Sequence, residues 1–368
     1  MVSLADAFLL ECPATPISHI RGGRGGLAAN RLFEVTIYVT RACNLSCRHC
    51  YISAGRPLEG ELSAEEWGAV FKQLGDLGVE VLYILGGEPM MRRDIYDIIF
   101  LARKNMPGSK ISMSTNGTLI SEEAAAKLRD AGLDEVQVSI DGPTADVNDA
   151  IRTPGSFVKA VLAARRLKEA GLRVTLAYVV LDENAEYIED MVRLAESLGV
   201  DGINFSPVVG FGRALTGRLS LSRRNAARAL KALMSIKSRV PITINGFRFY
   251  LDDIQKAYRE ALADLGEYAK YYKTCPAGTS RLVIDSNGDV YGCELLIPTM
   301  KEGNVRERDI KDIWLNGFKS LRLRDVRKVE PCSTCTMADL CQGGCTARAL
   351  ATFKSINAPD PLCPLVRR

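Results

Sequence analysis

Arg41-Ala-Cys-Asn-Leu-Ser-Cys-Arg-His-Cys-Tyr51 decides how the rest of the chain is read. It places Cys43, Cys47 and Cys50 on one short loop, directly behind the β-branched run Glu34–Thr40. Barrel active sites lie at the C-terminal ends of parallel strands, which is where this loop falls. Three thiolates on a short loop can hold three irons of a cubane. The fourth iron then lacks a protein ligand and can take a substrate or cofactor through amine and carboxylate groups. On spacing alone, a zinc loop completed by His49 stands beside this reading.

Outward from the loop, short β-branched runs alternate with longer helical stretches, the rhythm of β/α units around a parallel sheet. Strands are expected at Glu34–Thr40, Val79–Leu85, Lys110–Thr115, Glu135–Ile140, Arg173–Val180 and Gly202–Ser206. Helices are expected near Ser63–Gly75, Arg92–Lys104, Glu122–Ala131, Ser156–Ala170, Asn184–Ser197 and Arg223–Ser238. Several open on a Ser or Asn in capping position and several end at glycine, at Gly132, Gly171 and Gly199. Six strands predict an α/β partial (β/α)6 barrel, two units short of a closed one. The expected divisions are an extension at 1–33, the barrel at 34–240, a tyrosine-bearing bridge at 241–274 and a cysteine-rich unit at 275–368.

The wider composition sets limits. No apolar run approaches the roughly 18–20 residues that span a bilayer. The opening segment carries Asp6 and no basic leader, so a cytoplasmic location without membrane association is expected. A net charge of +4, with dispersed Lys and Arg, argues against nucleic acid as a partner, and Arg21–Gly26 reads as a flexible loop before it reads as an RNA contact. Cysteine is the outlier, with eleven. Besides the trio and a solitary Cys12, the rest are Cys275, Cys293, Cys332, Cys335, Cys341, Cys345 and Cys363. Close spacings in a long, reduced chain point to metal or cluster ligation rather than disulfides.

The loop with its flanking motifs resembles the radical S-adenosylmethionine superfamily. His49 stands where those enzymes carry an aromatic residue or histidine before the third cysteine, and Tyr51 follows it. Gly86-Gly87-Glu88-Pro89 ends the second strand, like the family motif that binds the methionine amino group, with Glu88 implied in holding the ammonium. Ser114-Thr-Asn116-Gly and Ser139-Ile-Asp141-Gly end the third and fourth strands, similar to the polar ends that face ribose and methionine. Arg152 matches an arginine that pairs with the methionine carboxylate. The resemblance covers about Glu34–Pro207 and implies one-electron cleavage of S-adenosylmethionine to a 5′-deoxyadenosyl radical. It also implies a low-potential electron donor such as ferredoxin or flavodoxin.

Cys275-x12-Gly288-x4-Cys293, Cys332-x2-Cys335-x5-Cys341-x3-Cys345 and Cys363 resemble the SPASM domain, an auxiliary-cluster module. Asn287-Gly288 marks a hairpin turn between the first pair. By this resemblance Cys275, Cys293 and Cys345 hold one cluster, and Cys332, Cys335, Cys341 and Cys363 a second. Three iron–sulfur clusters, of the [4Fe–4S] kind, then give about a dozen irons. Two fully thiolate-ligated cubanes need eight cysteines, and seven are present, so one iron awaits a different ligand, for which Glu294 and Cys12 are remote candidates. A pair of zinc sites is the competing reading of the same cysteines.

Glu294 follows Cys293, where sulfatase maturases carry an acid proposed to take the substrate proton; the plainer reading is a surface carboxylate beyond a hairpin. Tyr250, Tyr271 and Tyr272 suit a substrate groove or interdomain packing, and Arg213, Arg218 and Arg223 suit a carboxylate-bearing substrate or a solvated face. Relatives with this domain modify ribosomal peptides or sulfatases, and a related branch modifies tetrapyrrole side chains. The expected substrate is a peptide or protein, with a tetrapyrrole as the alternative. A non-catalytic zinc scaffold is the reading from a different class.

Overall fold

Glu34-Val-Thr-Ile-Tyr38 is buried throughout and forms the first strand, β1 (Glu34–Tyr38). Its alternation serves two faces. Val35 and Ile37 enter the main apolar core, whereas Tyr38 packs with Val283 and Tyr291 on the other side. This computed structural model describes residues 31–246, 275–336, 338–363 and 365–366. Cys12, Arg21–Gly26, Tyr250, Tyr271 and Tyr272 lie outside the described residues.

From β1 the chain alternates through α1 (Ala64–Asp76), β2 (Val81–Leu85), α2 (Ile95–Asn105), β3 (Lys110–Thr115), α3 (Glu122–Asp130) and β4 (Glu135–Ser139). It continues through α4 (Ala145–Ile151), α5 (Ser156–Glu169), β5 (Arg173–Val180), α6 (Ile188–Leu198) and β6 (Gly202–Pro207). Then come α7 (Gly212–Thr216), α8 (Arg223–Ser235) and β7 (Ile242–Ile244). β1 to β7 are parallel and lie side by side in chain order. This is the α/β partial barrel the sequence predicts, with a short seventh strand beyond the six expected.

The helices cover the outer face. Ser63 and Glu66 cap α1 reciprocally, and its buried Trp67, Val70, Phe71 and Leu74 fall on one stripe. Each such side chain contributes about 1.5–3 kcal/mol when fully buried.

The C-terminal part adds β8 (Arg281–Ile284), β9 (Asp289–Tyr291), β10 (Gly303–Asn304), α9 (Ile310–Asn316), α10 (Lys319–Arg322), α11 (Ala338–Cys341) and α12 (Thr346–Phe353). The expected hairpin forms between β8 and β9, turning at Gly288 with φ +88°. Its placement was not anticipated. β8 pairs parallel with β1, Glu34 opposite Arg281, so one ten-stranded sheet runs β10-β9-β8-β1-β2-β3-β4-β5-β6-β7.

Three helix boundaries differ from expectation. α2 starts at Ile95 rather than Arg92, because Pro89–Met91 forms a separate 3-10 turn and Arg92 turns back to donate to the carbonyls of Val39 and Leu62. α6 starts at Ile188 rather than Asn184, because the buried Asn184 amide donates to Asp141 O and Val179 O instead of capping a helix. α8 ends at Ser235. α4, hidden behind Gly142-Pro143, had no counterpart in the expectation.

Candidate functional site

The cysteine loop is gripped from every side by the carboxyl ends of its neighbouring strands. From β2, Gly87 N–H donates to Thr40 O (2.8 Å) and Glu88 N–H to Ala42 O (2.8 Å). A Cβ on Gly87 would stand 2.2 Å from Ala42 O, so only glycine permits this approach. From β3, Asn116 Nδ2 donates to Asn44 Oδ1 at 2.9 Å. From the α4 end, Ile151 O accepts from Arg48 N–H at 2.9 Å. From β4, Asp141 Oδ2 lies 3.1 Å from His49 Nε2.

Glu88 is buried, and its two oxygens accept from Thr115 Oγ1 (2.7 Å), Asn116 N–H (2.7 Å) and Met90 N–H (3.1 Å). Burial raises its carboxyl, and these hydrogen bonds oppose the rise. Pro89 is buried and opens the 3-10 turn, while Ser114 Oγ donates to Gln137 Oε1 at 3.2 Å. Gly86, Ser114 and Ser139 are half-buried at the ends of β2, β3 and β4.

Asp141 has no exposed side-chain surface and also faces Arg152, whose Nε is 2.6 Å from Oδ2. Burial alone would raise the Asp141 carboxyl, but the Arg152 and His49 charges outweigh it and hold the group at about 2. His49 therefore spends its Nε2 on Asp141, not on the cysteines, and its buried Nδ1 has no hydrogen-bond partner. Burial pushes the Cys43 and Cys47 thiols up, so ligation there has to displace protons. Leu45 N–H donates to Cys43 Sγ and Ala54 N–H to Cys50 Sγ, both at 3.4 Å.

Arg213 belongs to this site, not to a solvated face or a substrate contact. Its Nε donates to Cys47 O (2.8 Å) and its Nη1 to Ala54 O (2.7 Å). Gly212, at φ +53°, brings it in so close that a Cβ would lie 2.5 Å from Cys50 O and Tyr51 O. Arg218 is exposed, and the Arg223 side chain is outside the described part. Tyr51 hydroxyl meets Tyr38 hydroxyl at 2.5 Å. Arg41 is buried and makes a bidentate pair with Asp285 (2.7 and 2.6 Å), tying the loop to the β8–β9 hairpin 244 residues on. No sequence signal linked these two.

In the C-terminal part the charges of Cys275 and Cys345 reach Cys293, whose buried thiol is pushed well up. Cys332 senses Cys363 and Cys335, and Cys341, pushed up to about 12 by burial, senses Cys363 and Cys332. The seven cysteines thus fall into two neighbourhoods. Asp360, fully buried, joins them: it accepts from Cys345 N–H (2.9 Å), Leu362 N–H (3.0 Å) and Arg348 Nη2 (2.6 Å). Glu294 is part-buried, its Oε2 3.5 Å from Cys293 Sγ and its Oε1 3.8 Å from Arg281 Nη1. Among the described residues, no three His, Cys, Asp or Glu side chains converge as a single metal ion requires.

A loop of three cysteines at the mouth of a partial barrel, fused to a second cysteine-rich unit, defines a class of iron–sulfur enzyme. The sequence model of the Radical SAM superfamily matches residues 37–195, and that of SPASM, an iron-sulfur cluster-binding domain, matches 275–336. The chain belongs to the radical S-adenosylmethionine superfamily and carries a C-terminal SPASM domain. It is 33% identical over 333 residues to mycofactocin maturase MftC of Mycobacterium ulcerans, covering 89% of this chain and 87% of that one. It is 31% identical over 338 residues to the AdoMet-dependent heme synthase of Oleidesulfovibrio alaskensis, covering 88% and 85%. In fold it is similar to Streptococcus suis SuiB bound to S-adenosylmethionine, with a TM-score of 0.74 and 20% identity over 91% of this chain and 78% of that one.

The residues present suit such a cluster. Three thiols share one loop, backbone N–H groups point at two of the sulfurs, and a buried guanidinium stands near Cys47. Hydrogen bonds to sulfur and nearby charge are the means by which a protein sets a cluster's potential. Among the described residues, no helix is long and apolar enough to cross a membrane.

Proposed function

We propose that the chain is a maturase that oxidatively modifies or crosslinks a peptide or protein through S-adenosylmethionine. Glu294 is the observation that carries this reading. Its carboxylate stands beside Cys293 and faces Arg281, which pairs with Glu34 of β1. A base placed where barrel and SPASM domain meet suits an oxidation that begins with loss of hydrogen from carbon.

In this reading Cys43, Cys47 and Cys50 hold the catalytic cluster. Cys275, Cys293 and Cys345 hold a first auxiliary cluster, and Cys332, Cys335, Cys341 and Cys363 a second. When bound, the clusters would supply one electron for cleavage of S-adenosylmethionine to methionine and a 5′-deoxyadenosyl radical, and would accept one electron from the substrate radical as it loses a proton. The protein's own work is positional. The backbone of Gly86 and Gly87 admits the cofactor, and Glu88 fixes the β2–β3 rim with its three hydrogen bonds. Ser114, Asn116 and Ser139 offer polar contacts, and Arg152, oriented by Asp141, offers a cation for the methionine carboxylate. His49 and Tyr51 wall the loop, and Glu294 receives the substrate proton. A low-potential donor of the ferredoxin or flavodoxin kind completes the cycle.

The similarity to mycofactocin maturases supports a maturase. A second reading, a tetrapyrrole side-chain decarboxylase or oxidase, is favoured by the similarity to heme synthases over nearly the same length. Tandem mass spectrometry after incubation with candidate peptides and porphyrins separates the two by which one changes mass. Replacing Cys43, Cys47 and Cys50 by Ala should abolish 5′-deoxyadenosine formation by the anaerobically reconstituted protein; continued formation overturns the whole assignment.

A further inference from the structure

The cations of the amino-terminal site all have an assigned partner: Arg41 on Asp285, Arg152 on Asp141, Arg213 on the loop carbonyls. Arg324 serves none of that machinery. It lies half-buried just before the turn Val326–Lys328 and spends all five N–H donors on backbone carbonyls. Nε donates to Ile356 O (2.6 Å), Nη1 to Gln342 O (2.8 Å) and Gly344 O (3.2 Å), and Nη2 to Gly343 O (3.2 Å) and Ala358 O (3.0 Å). Three of these carbonyls belong to the only residues between Cys341 and Cys345, and so between the two cysteine neighbourhoods. The other two precede Cys363.

None of the five partners is a carboxylate. Carbonyls satisfy the hydrogen bonds of a guanidinium but cancel no charge, and among the described residues no carboxylate forms an ion pair with Arg324, a costly state for a half-buried cation. Burial disfavours its charge, and the groups that oppose this are Cys275, Cys345, Cys332 and Cys341, two from each neighbourhood. A thiolate-ligated cubane is anionic, and in a medium of low polarity a nearby fixed cation favours its reduced form.

We infer that Arg324 is the shared counter-ion of two auxiliary clusters, a positioning residue that holds the 342–344 and 356–358 segments together and raises the reduction potential of both. The inference rests on the two-cluster reading above.

The test uses the full chain, reconstituted without oxygen, as the parent and as Arg324→Gln and Arg324→Lys. Iron per chain is measured, and each cluster is titrated with potential under paramagnetic resonance. In the Gln variant both auxiliary couples should become harder to reduce, with a roughly tenfold rise in oxidised over reduced cluster at fixed potential, about 59 mV for one electron. The amino-terminal cluster should not move, and Lys should keep most of the parental potential. Unmoved auxiliary couples in an iron-replete Gln variant overturn the inference, as does a Lys variant that shifts as far as Gln. Should Gln lose iron, Lys decides: full iron at parental potentials upholds the counter-ion, and iron loss in Lys as well reduces Arg324 to a loop tie. Parental protein with iron for only two cubanes sinks the two-cluster reading independently of the variants.

Discussion

Asp141 carries more of the site than its place in a turn-like Asp-Gly-Pro implies. The sequence marked it as a polar strand end, because Ser139-Ile-Asp141-Gly stands at the right place in the β/α rhythm. Its partners were not legible, since His49 and Arg152 lie 92 residues behind and 11 ahead. Held at about 2, its carboxyl stabilises the fold fully above the unfolded value near 4, and that contribution drains away as pH falls through 4 towards 2. Asp141→Asn leaves Arg152 buried without an anion and should cost about 3–5 kcal/mol at neutral pH. The difference from the parent should shrink towards pH 2; urea unfolding across that range measures it. Arg213 shows the limit of residue-level reading. An arginine beside a glycine announces neither its carbonyl partners nor its loop, and only the fold brings it to Cys47 and Ala54.

Elements were legible where they were long and punctuated. α1 and α3 declare themselves by Ser63 and Ser121, whose side chains accept the N-terminal N–H groups. β7 did not, because Ile242–Ile244 is three residues between Pro241 and Asn245, too short for any period to show. α6 was misplaced by a residue that looks like a cap, Asn184, yet serves as a buried bracket between β4 and β5 ends. The β2 turn makes the sharpest element-level prediction. Gly87→Ala puts a methyl against the Ala42 carbonyl, a backbone atom that cannot swing aside, so the cysteine loop must lift from β2. Lower iron incorporation at the trio and slower 5′-deoxyadenosine formation should follow, with C-terminal iron retained; iron analysis and product assay read the two separately.

At the scale of the molecule, the sequence declared two cysteine-bearing units but not how they join. Two of their joins are β8 against β1 and Arg41 on Asp285. Neither contact has a sequence signature, because strand partners across 240 residues leave no local pattern. Removing either ion partner leaves the other buried and alone, so Arg41→Met and Asp285→Leu should each cost about 3–5 kcal/mol, and the double variant well under their sum. A thermodynamic cycle from denaturant unfolding checks this, and additive losses would show that the pair does not couple.

The central position of β1 has a consequence during synthesis. One flank of the strand is satisfied as soon as β2 emerges, but the other waits for residues 281–284, about 240 residues further along the chain. Until then a nascent barrel offers a bare row of backbone donors and acceptors, the kind of edge that recruits a neighbouring chain. A ribosome that stops before Cys275 releases a product in which that row stays open. Residues 281–284 thus act as a late-arriving clasp on β1.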